Sequence, residues 1–391
     1  VNNYPSLEKD KEQTYVAMDD LDEFDRKIKG TTQKEYKYSA PRFKNHDTLF
    51  PKMSRCLELG KTAYVDVLDE DEVAFGSTEF MVMHPKEEDE ILPKFVYYTV
   101  RREDIRQHAL SWATGSTARR QRISTDLFDN LTVKVPPIDE QKEIVGFLDA
   151  IDTKIETNNR INELLEEIAG TLYRSWFVDF DPYDEFKDSE LGEIPVDFEV
   201  KTISEFAEII LGNSPKSEHY NEDGEGLPFF QGSKNFGLRY PEVEKWCSKE
   251  KKVAQPDDVL ISIRAPVGDV NRAREKCIVG RGVTALRMKE HSNEFLYHLL
   301  MANKPNWEKY KSGTTFNSIN KTDIQNFPVA LPPEQDIERF NSIVRPMAER
   351  FKNNVEENDN LAELRDTLLP KLMSGEIRLD PDTNNEPASD D

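Results

Sequence analysis

A sequence repeat divides the chain into two halves. The segment VKVPPIDEQKEIV at residues 133–145 returns about two hundred residues later as VALPPEQDIERFNSIV at residues 329–344. This distance is too long for one unit of a solenoid, since such units span about 20–45 residues. Each copy also opens a long amphipathic segment. The repeat therefore predicts two modules, each a folded region followed by a helix.

The two amphipathic segments have apolar and asparagine residues at steps of three and four, which is the seam of a coiled coil. The predicted seam consists of Leu148, Ile151, Ile155, Asn158, Leu165 and Leu172 in the first segment and Val344, Met347, Phe351, Asn358, Leu361, Leu368 and Leu372 in the second. Each helix of on the order of forty residues would span about 60 Å. We expect them to pair antiparallel, with the folded regions at opposite ends. The alternative is that each helix packs on its own folded region.

Two prolines interrupt the second amphipathic segment. Pro346 and Pro370 each lack a backbone N–H and crowd the preceding turn. They predict that the second helix bends or ends early.

The folded regions read as mixed α+β. The first combines strand-like residues 80–83 and 133–135 with a helix within residues 92–108. The second has strands at residues 258–263 and 282–288, a helix at 293–302 and a strand at 329–331. The predicted fold class is α+β, with two globular domains separated by two long antiparallel helices in a pseudo-twofold repeat. The predicted boundaries are 1–137, 138–180, 181–333, 334–379 and an acidic disordered tail at 380–391.

The composition limits the cellular compartment and the kinds of partner that the protein can have. It carries a formal charge of −23, which at face value argues against a nucleic-acid partner because neutralising phosphates needs Lys and Arg. The charge is uneven, however, and the glycine-rich loops are basic. The three cysteines, Cys56, Cys247 and Cys277, lie far apart, and no apolar run approaches about twenty residues. These features predict a cytoplasmic protein with neither disulfides nor a membrane span.

The sequence lacks the motifs of DNA methyltransferases, of ATPases with a phosphate-binding loop and of metal-dependent enzymes. A DNA methyltransferase needs an Asn/Asp-Pro-Pro-aromatic motif and a glycine-rich cofactor loop, but the two Pro-Pro steps follow Val135 and Leu331. There is no phosphate-binding loop ending in GK[ST], and the histidines and cysteines show no metal-ligand spacing. The sequence predicts a chain that is not itself catalytic and that uses no cofactor and no metal.

Two corresponding loops carry side chains of the types that can contact DNA. Arginine can bind guanine through two hydrogen bonds, amides can bind adenine in the same way, and hydroxyls suit phosphates. The candidate DNA-binding residues of the loops are Gly115, Ser116, Thr117, Arg119, Arg120 and Arg122 in the first and Gly313, Thr314, Thr315, Asn317, Ser318 and Lys321 in the second. The alternative is a pair of hydroxyl-capped surface turns, which the duplication of the loop makes less favoured.

Further arginines lie in the loops of the second half. Arg264 and Arg281 are candidates for DNA phosphate contacts, with structural ion pairs as the open alternative, and Arg272 and Arg274 add to the local basic character. A globally acidic surface with basic loops remains compatible with DNA binding.

Over nearly its whole length the chain resembles the specificity subunit of Type I restriction-modification systems. The most specific segments are the helix beginning PPIDEQKEIVGFLDAIDTKIETNNRINELLEEI and the one ending NDNLAELRDTLLPKLMSGEIRL, with FGSTEF, DDVLISIRAPVGDVNRA and GRGVTAL in the folded regions. The resemblance implies two target-recognition domains that each read half of an interrupted site in double-stranded DNA. It also adds Ser77 and Thr78 as DNA-binding candidates.

The resemblance further implies protein partners. The paired helices would set the gap between the half-sites and dock two DNA methyltransferase subunits, and restriction and translocase subunits would join the larger complex. One departure from the repeat is that LGEIPVDFEVKTISEFAEI opens the second folded region, while nothing comparable precedes Tyr15 in the first.

Two other classes of function remain open. A single-chain nuclease with a fused reader is disfavoured by the missing motifs. A non-catalytic scaffold that uses the helices for docking, without sequence-specific DNA reading, is favoured by the excess of acid.

Overall fold

The computed structural model describes residue 4 and residues 6–37, 40–115, 121–128, 131–307 and 318–379. The chain forms two compact units. Unit 1 comprises Val1–Thr157 with Glu356–Asp391, and unit 2 comprises Asn158–Val355. Each unit therefore contains one globular part and one half of each long helix.

The α-helices of the described residues include two that are far longer than the rest. The helices are α1 (Ser54–Glu58), α2 (Pro93–Arg101), α3 (Glu103–Ser111), α4 (Ile138–Phe177), α5 (Ile203–Phe206), α6 (Asn293–Ala302), α7 (Lys304–Trp307), α8 (Lys321–Gln325) and α9 (Glu334–Ser374). Helix α6 matches the predicted residues 293–302. The single helix predicted within 92–108 is instead two helices, because Arg102 between them has an extended ψ of 140°.

Unit 1 is built on short strands. These are β1 (Glu12–Val16), β2 (Thr32–Glu35), β3 (Arg42–Phe43), β4 (Thr48–Pro51), β5 (Ala63–Tyr64), β6 (Ala74–Gly76), β7 (Phe80–Met83), β8 (Ala113–Thr114) and β9 (Arg122–Ile123). They form sheets in the orders β2-β1-β6-β3, β5-β4-β7 and β8-β9. The sheet containing β4 packs against α2 and α3 through a cluster that includes Phe50, Met81 and Val100.

Unit 2 contains larger sheets. Its strands are β10 (Phe186–Ser189), β11 (Gly192–Pro195), β12 (Glu199–Thr202), β13 (Ala207–Leu211), β14 (Tyr220–Asn221), β15 (Leu227–Phe230), β16 (Trp246–Cys247), β17 (Val253–Ala254), β18 (Val259–Ser262), β19 (Val270–Arg272), β20 (Cys277–Val279), β21 (Val283–Met288) and β22 (Pro328–Leu331). The two main sheets have the orders β13-β21-β18-β19 and β14-β16-β15-β20-β17, and β10-β11 and β12-β22 are separate pairs.

The strand β18 is buried on both faces. Alternate residues of a strand point to opposite sides, so Val259 and Ile261 face the cluster formed with α6, while Leu260 faces a second cluster with Val283 and Ala285. A run of four apolar or small residues without polar alternation is typical of such a central strand. Burial on both faces fixes the end of β18 and the start of β21, next to which Arg264 and Arg281 lie.

Within each unit, α4 and α9 pack antiparallel. In unit 1, Leu148 of α4 packs with Leu369 and Leu372 of α9, and Lys154 lies 2.9 Å from Glu357. In unit 2, the Asn354 amide donates to Asn162 Oδ1 at 2.8 Å, and residues from Tyr173 onward pack with Phe340. The α+β fold class with two modules and two long helices is confirmed.

The predicted early end of helix α9 and the predicted strand at residues 133–135 are wrong. Helix α9 continues through Pro346 and Pro370, both of which are exposed, so the carbonyl that each proline leaves without its N–H partner can bond water. Residues 133–135 are not a strand. The corresponding β22 pairs with β12, which lies in the segment that opens only the second folded region, so residues 133–135 lack that partner.

Candidate nucleic-acid interface

The candidate loop of unit 1 returns to a three-part backbone junction at the end of β4. Lys52 N donates to Glu79 O at 2.7 Å, and Ile123 N donates to Lys52 O at 2.8 Å. An isolated antiparallel bridge joins Met53 to Arg122. We call these five residues the first loop edge. The junction brings the start of β7 and the chain that follows the candidate loop to the same end of the sheet.

Unit 2 repeats this junction at the end of β18. Ile263 N donates to Gly282 O at 2.9 Å, and Ile319 N donates to Ile263 O at 3.1 Å. The matching antiparallel bridge joins Arg264 to Ser318. We call these five residues the second loop edge. Because the hydrogen bonds and the bridge recur one for one, the two edges correspond residue by residue although their sequences differ.

The charged side chain of the first loop edge is fixed by a carboxylate. Arg122 Nε donates to Glu79 Oε2 at 3.0 Å, and Arg122 Nη2 donates to Glu79 Oε1. The Arg122 side chain is 66% exposed, whereas that of Glu79 is 18% exposed. Lys52 Nζ donates to Thr78 O at 2.8 Å beside this pair. The edge thus presents an oriented guanidinium to solvent.

The second loop edge holds its arginines differently. Arg264 is exposed, and so is Arg281, which directly precedes Gly282. Neither guanidinium has an ion-pair partner among the residues that the structure describes, so the alternative of a structural ion pair has no support there. The backbone N–H of Arg281 donates to Ser214 Oγ at 3.1 Å, which fixes the backbone without using the Arg281 side chain.

Gly282 is required by a close backbone approach. Its N–H donates to Gln231 O at 3.0 Å, and a Cβ built on Gly282 would lie 2.3 Å from that same oxygen. No side chain fits there without a shift of the backbone. The glycine therefore excludes from the second edge the carboxylate that Glu79 supplies to the first.

The other candidate loop residues divide into described and undescribed ones. Ser77 accepts a hydrogen bond from Glu79 N at 3.3 Å through Oγ, Thr78 is exposed, and Lys321 begins α8, whose cap is Asn320. Gly115 follows β8 and is exposed. The remaining predicted residues lie outside the described part of the chain: Ser116, Thr117, Arg119, Arg120, Gly313, Thr314, Thr315 and Asn317.

Arg272 does not contribute to a basic surface. It is buried, its Nη1 donates to the Glu294 carboxylate, and its Nη2 donates to Asp257 O at 3.0 Å. Arg239 completes this buried network by donating to Glu294 at 2.6 Å and to Glu166 of α4 at 2.5 Å. The two guanidinium groups lower the pKa of Glu294 against the opposing effect of burial. The sequence offered no signal for this network, since its members are distant and ordinary charged residues.

Unit 1 attaches its globular part to α4 through a comparable arginine. The Arg26 guanidinium binds Asp149 and Glu156, which lie on α4. Lys94 also binds Asp149, at 2.6 Å, and Lys27 binds Glu156 at 3.0 Å. Each carboxylate therefore has a second cation, in contrast to the deeper network of unit 2.

The predicted seam residues all lie on α4 or α9 and are buried or half-buried. Polar residues interrupt the seam in both units. In unit 1, Arg365 donates to buried Asp152 at 2.6 Å, and Tyr98 OH donates to the same carboxylate at 2.9 Å. Polar residues at seam positions are known to specify the register of paired helices.

Equivalent buried aspartates precede the central strands of the two units. Asp47 in unit 1 lies 2.9 Å from His84 and accepts a hydrogen bond from Tyr4 OH at 2.7 Å, whereas Asp258 in unit 2 is bound by Arg287 Nε and Nη2 at 2.6 and 2.7 Å. Burial raises the pKa of Asp47 despite these hydrogen bonds. The aspartate is present in both units, and its basic partner is a histidine in unit 1 and an arginine in unit 2.

The described residues contain no group of three or more His, Cys, Asp or Glu side chains arranged to hold a metal ion. Within the same residues, no helix has the length and apolar character needed to span a membrane. Cys56, Cys247 and Cys277 are free thiols.

Comparison with known proteins shows the family. The sequence model for the Type I restriction modification DNA specificity domain matches residues 3–167 and 195–355, one match in each half of the chain. The chain therefore belongs to the Type I restriction-modification DNA specificity family, whose role is the recognition of DNA sequence. The resemblance seen in the sequence is confirmed.

Individual relatives agree with the family match. The putative type I restriction enzyme MjaX specificity subunit of Methanocaldococcus jannaschii is 29% identical, and the match covers 85% of this chain and 79% of the relative. The type I restriction enzyme HindI specificity subunit of Haemophilus influenzae is 25% identical over 77% of this chain and 81% of the relative.

A solved structure supports the fold. The Type I restriction-modification S subunit from M. genitalium superposes with a TM-score of 0.55 at 18% identity, covering 94% of this chain and 91% of that one. At this identity the likeness bears on the fold alone.

Proposed function

We propose that this chain is the non-catalytic specificity subunit of a Type I restriction-modification complex, in which residues 1–137 and 181–333 each read one half of a bipartite DNA site. The observation that carries the proposal is the pair of corresponding loop edges. Each edge holds the exit of a candidate loop against the end of a buried strand and exposes arginine. Rigid elements that present variable loops are a common basis for recognition.

The charges divide the proposed contacts into two kinds. Arg264 and Arg281 are exposed and have no ion-pair partner among the described residues, which suits contacts to the DNA backbone that are indifferent to sequence. Arg119, Arg120 and Asn317 are proposed base contacts, each contributing about 1–3 kcal/mol of discrimination if the contact is bidentate. Arg119→Ala and Arg120→Ala should then affect only the first half-site, and Asn317→Ala only the second.

The long helices are proposed as spacer and docking surface. Apolar side chains remain exposed on them, with Leu164 at 39% and Ile168 at 51% in unit 2 and Leu364 at 45% in unit 1. Exposed apolar groups on helices that already bury a seam suit contact with a partner. We propose that two DNA methyltransferase subunits dock there, one per repeat, and that restriction and translocase subunits join the larger complex.

The acidic balance of the chain favours a second candidate, a scaffold that docks proteins without reading sequence. The two candidates are separated by co-expressing the chain with cognate modification subunits and mapping methylated positions on plasmid DNA by single-molecule sequencing. The specificity subunit gives one bipartite methylated sequence. Methylation without sequence preference would instead favour the scaffold.

The spacer role has its own test, because 3.6 residues make one helical turn. Inserting four residues after Thr157, together with four in the facing part of α9, adds about 6 Å and keeps the seams nearly in phase. We expect the unread gap in the methylated site to lengthen by about one or two base pairs, since DNA rises about 3.4 Å per pair. An active complex with an unchanged gap would show that the helices do not set the spacing. Inserting two residues in place of four rotates the seam by about 200° and should abolish assembly.

A further inference from the structure

Arg122 and Glu79 form a fork of two hydrogen bonds at the first loop edge. Glu79 binds the Nε and Nη2 side of the guanidinium, and its own side chain is 18% exposed. A guanidinium has a second pair of donors at its far end, formed by the hydrogens of Nη1 and Nη2. That end of Arg122 has no partner among the described residues, and the side chain as a whole is 66% exposed.

The backbone on both sides of the fork is fixed. Arg122 is held by its bridge to Met53, and Glu79 is held because its carbonyl accepts from Lys52 N at 2.7 Å. Glu79 N also donates to Ser77 Oγ at 3.3 Å. Since an exposed ion pair contributes little to stability, the fork is better explained as a device that orients the arginine than as one that stabilises the fold.

We propose that Glu79 and Arg122 act as one base-reading pair, in which Glu79 is a positioning residue and the free end of Arg122 binds O6 and N7 of a guanine in the major groove. This inference rests on the proposed function of the chain as a DNA reader. Two parallel donors at fixed separation match the two acceptors of guanine. A guanidinium held in place beforehand also loses less conformational freedom on binding.

The second loop edge supplies the contrast. Gly282 stands where Glu79 stands, and Gln231 O excludes a side chain there. Arg264 and Arg281 are therefore not oriented by a carboxylate at that position. The proposed Glu79–Arg122 pair predicts that guanine is strictly required at one position of the first half-site. It also predicts that residue 282 does not help to orient a base-reading arginine in the second half-site.

The test uses the full chain in its complex with modification subunits and a plasmid library in which the first half-site is randomised. Methylation of each library member is scored by sequencing. Arg122→Lys keeps the charge but cannot form the fork, so its guanine preference at one position should fall on the order of 10- to 100-fold. Glu79→Ala should lower that preference about 2- to 10-fold, and Glu79→Gln, which keeps one acceptor oxygen, should fall between Glu79→Ala and the wild type.

A matched control is available in the same domain. Glu58 pairs with exposed Arg55 at 3.1 Å on α1, so Glu58→Ala removes one carboxylate from an arginine pair without touching the fork. It should leave the base preference unchanged and report any effect of net charge. Both Glu79 variants should keep the second half-site preference of the wild type.

Two negative outcomes are distinguishable. If the wild type reads both half-sites and the Glu79 variants keep their full base preference, the pairing is wrong while the specificity function stands. If the wild type shows no base preference at any position, the proposed function fails and the base-reading pair fails with it.

Discussion

The bridge arginine of the first loop edge is Arg122, on the later strand, whereas that of the second is Arg264, on the earlier strand. The backbone hydrogen bonds around the two bridges correspond one for one. The arginine therefore occupies opposite sides of the bridge in the two units, while the backbone hydrogen bonds around the bridge are the same. Similarity between the halves is strong in the helices and weak in the globular parts because only the frame has to be kept.

The ion pairs that attach each globular part to α4 also differ between the two units. In unit 1 the carboxylates that bind Arg26 each have a second cation, while in unit 2 the single buried carboxylate of Glu294 binds both Arg239 and Arg272. The side chains of Arg239, Arg272 and Glu294 are 2–6% exposed, whereas those of Arg26, Asp149 and Glu156 are 9–29% exposed. The more deeply buried network of unit 2 should therefore be more sensitive to substitution, even though Glu166 and Asp257 remain as further partners of its arginines.

The largest expected effect is on the stability of unit 2. Glu294→Ala leaves two buried guanidinium groups without their shared carboxylate, which should cost about 3–5 kcal/mol. Arg26→Ala in unit 1 leaves Asp149 with Lys94 and Glu156 with Lys27, and should cost about 1–3 kcal/mol. Hydrogen exchange followed by mass spectrometry reports each unit separately. An equal loss of protection in both variants would contradict the contrast.

A suitable control removes a surface carboxylate from α4. Glu163 pairs with exposed Arg160 at 2.8 Å, so Glu163→Ala should change stability by less than about 1 kcal/mol.

His298 in unit 2 and Asp47 in unit 1 should contribute pH dependences of opposite sign to stability. Burial lowers the pKa of His298 to about 3. Between that value and the unfolded pKa of about 6.5 the unfolded state binds more protons, so the stability of unit 2 falls as the pH drops through this window. By pH 5 the loss should be about 2 kcal/mol. His298→Phe, which keeps the contacts with Tyr173 and Phe340, should flatten the dependence between pH 5 and 7.

Asp47 has the opposite sign in unit 1. Its pKa is raised in the folded state, so the folded state binds more protons just above the ordinary pKa, and stability falls as the pH rises through that range. Hydrogen exchange at pH 5 and 7 should show unit 2 losing protection on acidification beyond any loss in unit 1. Equal acid sensitivity in wild-type unit 2 and in His298→Phe would rule out the histidine as the cause.

A smaller loss of stability is expected when a side chain is added at Gly282, where the backbone of unit 2 passes close to Gln231 O. Gly282→Ala places a Cβ against Gln231 O and should cost about 1–3 kcal/mol through the backbone shift it forces. Glu79→Ala at the corresponding position of unit 1 should be tolerated because a Cβ is already present. In the complex, Gly282→Ala should weaken reading of the second half-site only. Altered reading of the first half-site would mean that the edges do not act independently.

The smallest expected effect separates backbone contacts from base contacts. Arg281→Ala should weaken DNA binding about equally for all sequences and reduce the slope of log affinity against log salt by about 0.9, as for the loss of one phosphate contact. Fluorescence anisotropy at several salt concentrations measures this slope. An unchanged slope combined with an altered base preference would reassign Arg281 to base reading.

Sequence reasoning predicted the parts of the fold that depend on local periodicity. The seams of α4 and α9, helix α6 and strands β18 and β21 follow from residue spacing that one segment carries by itself. The passage of α9 through Pro346 and Pro370 depends instead on which face of the helix is exposed. The absence of a strand at residues 133–135 depends on a distant partner.

The candidate DNA-binding residues also divide into those that local sequence could identify and those that depend on tertiary contacts. Exposed Arg264 and Arg281 could be proposed from their loops, but the fork of Arg122 and Glu79 joins residues far apart in sequence. Arg272 lies in the same glycine-rich region as those arginines and is nevertheless buried against Glu294. The roles of charged residues are set by tertiary pairing, which neither composition nor spacing specifies.

The central claim is that the chain contains two independent readers, and exchanging one of them tests it most directly. Residues 181–333 are replaced by the corresponding region of a relative, and the hybrid is assembled with its modification subunits. Single-molecule methylation mapping is then compared with that of the wild type. We predict that one half of the methylated sequence changes to that of the relative while the other half and the gap are retained. A hybrid that methylates DNA with both half-sites altered would contradict the claim.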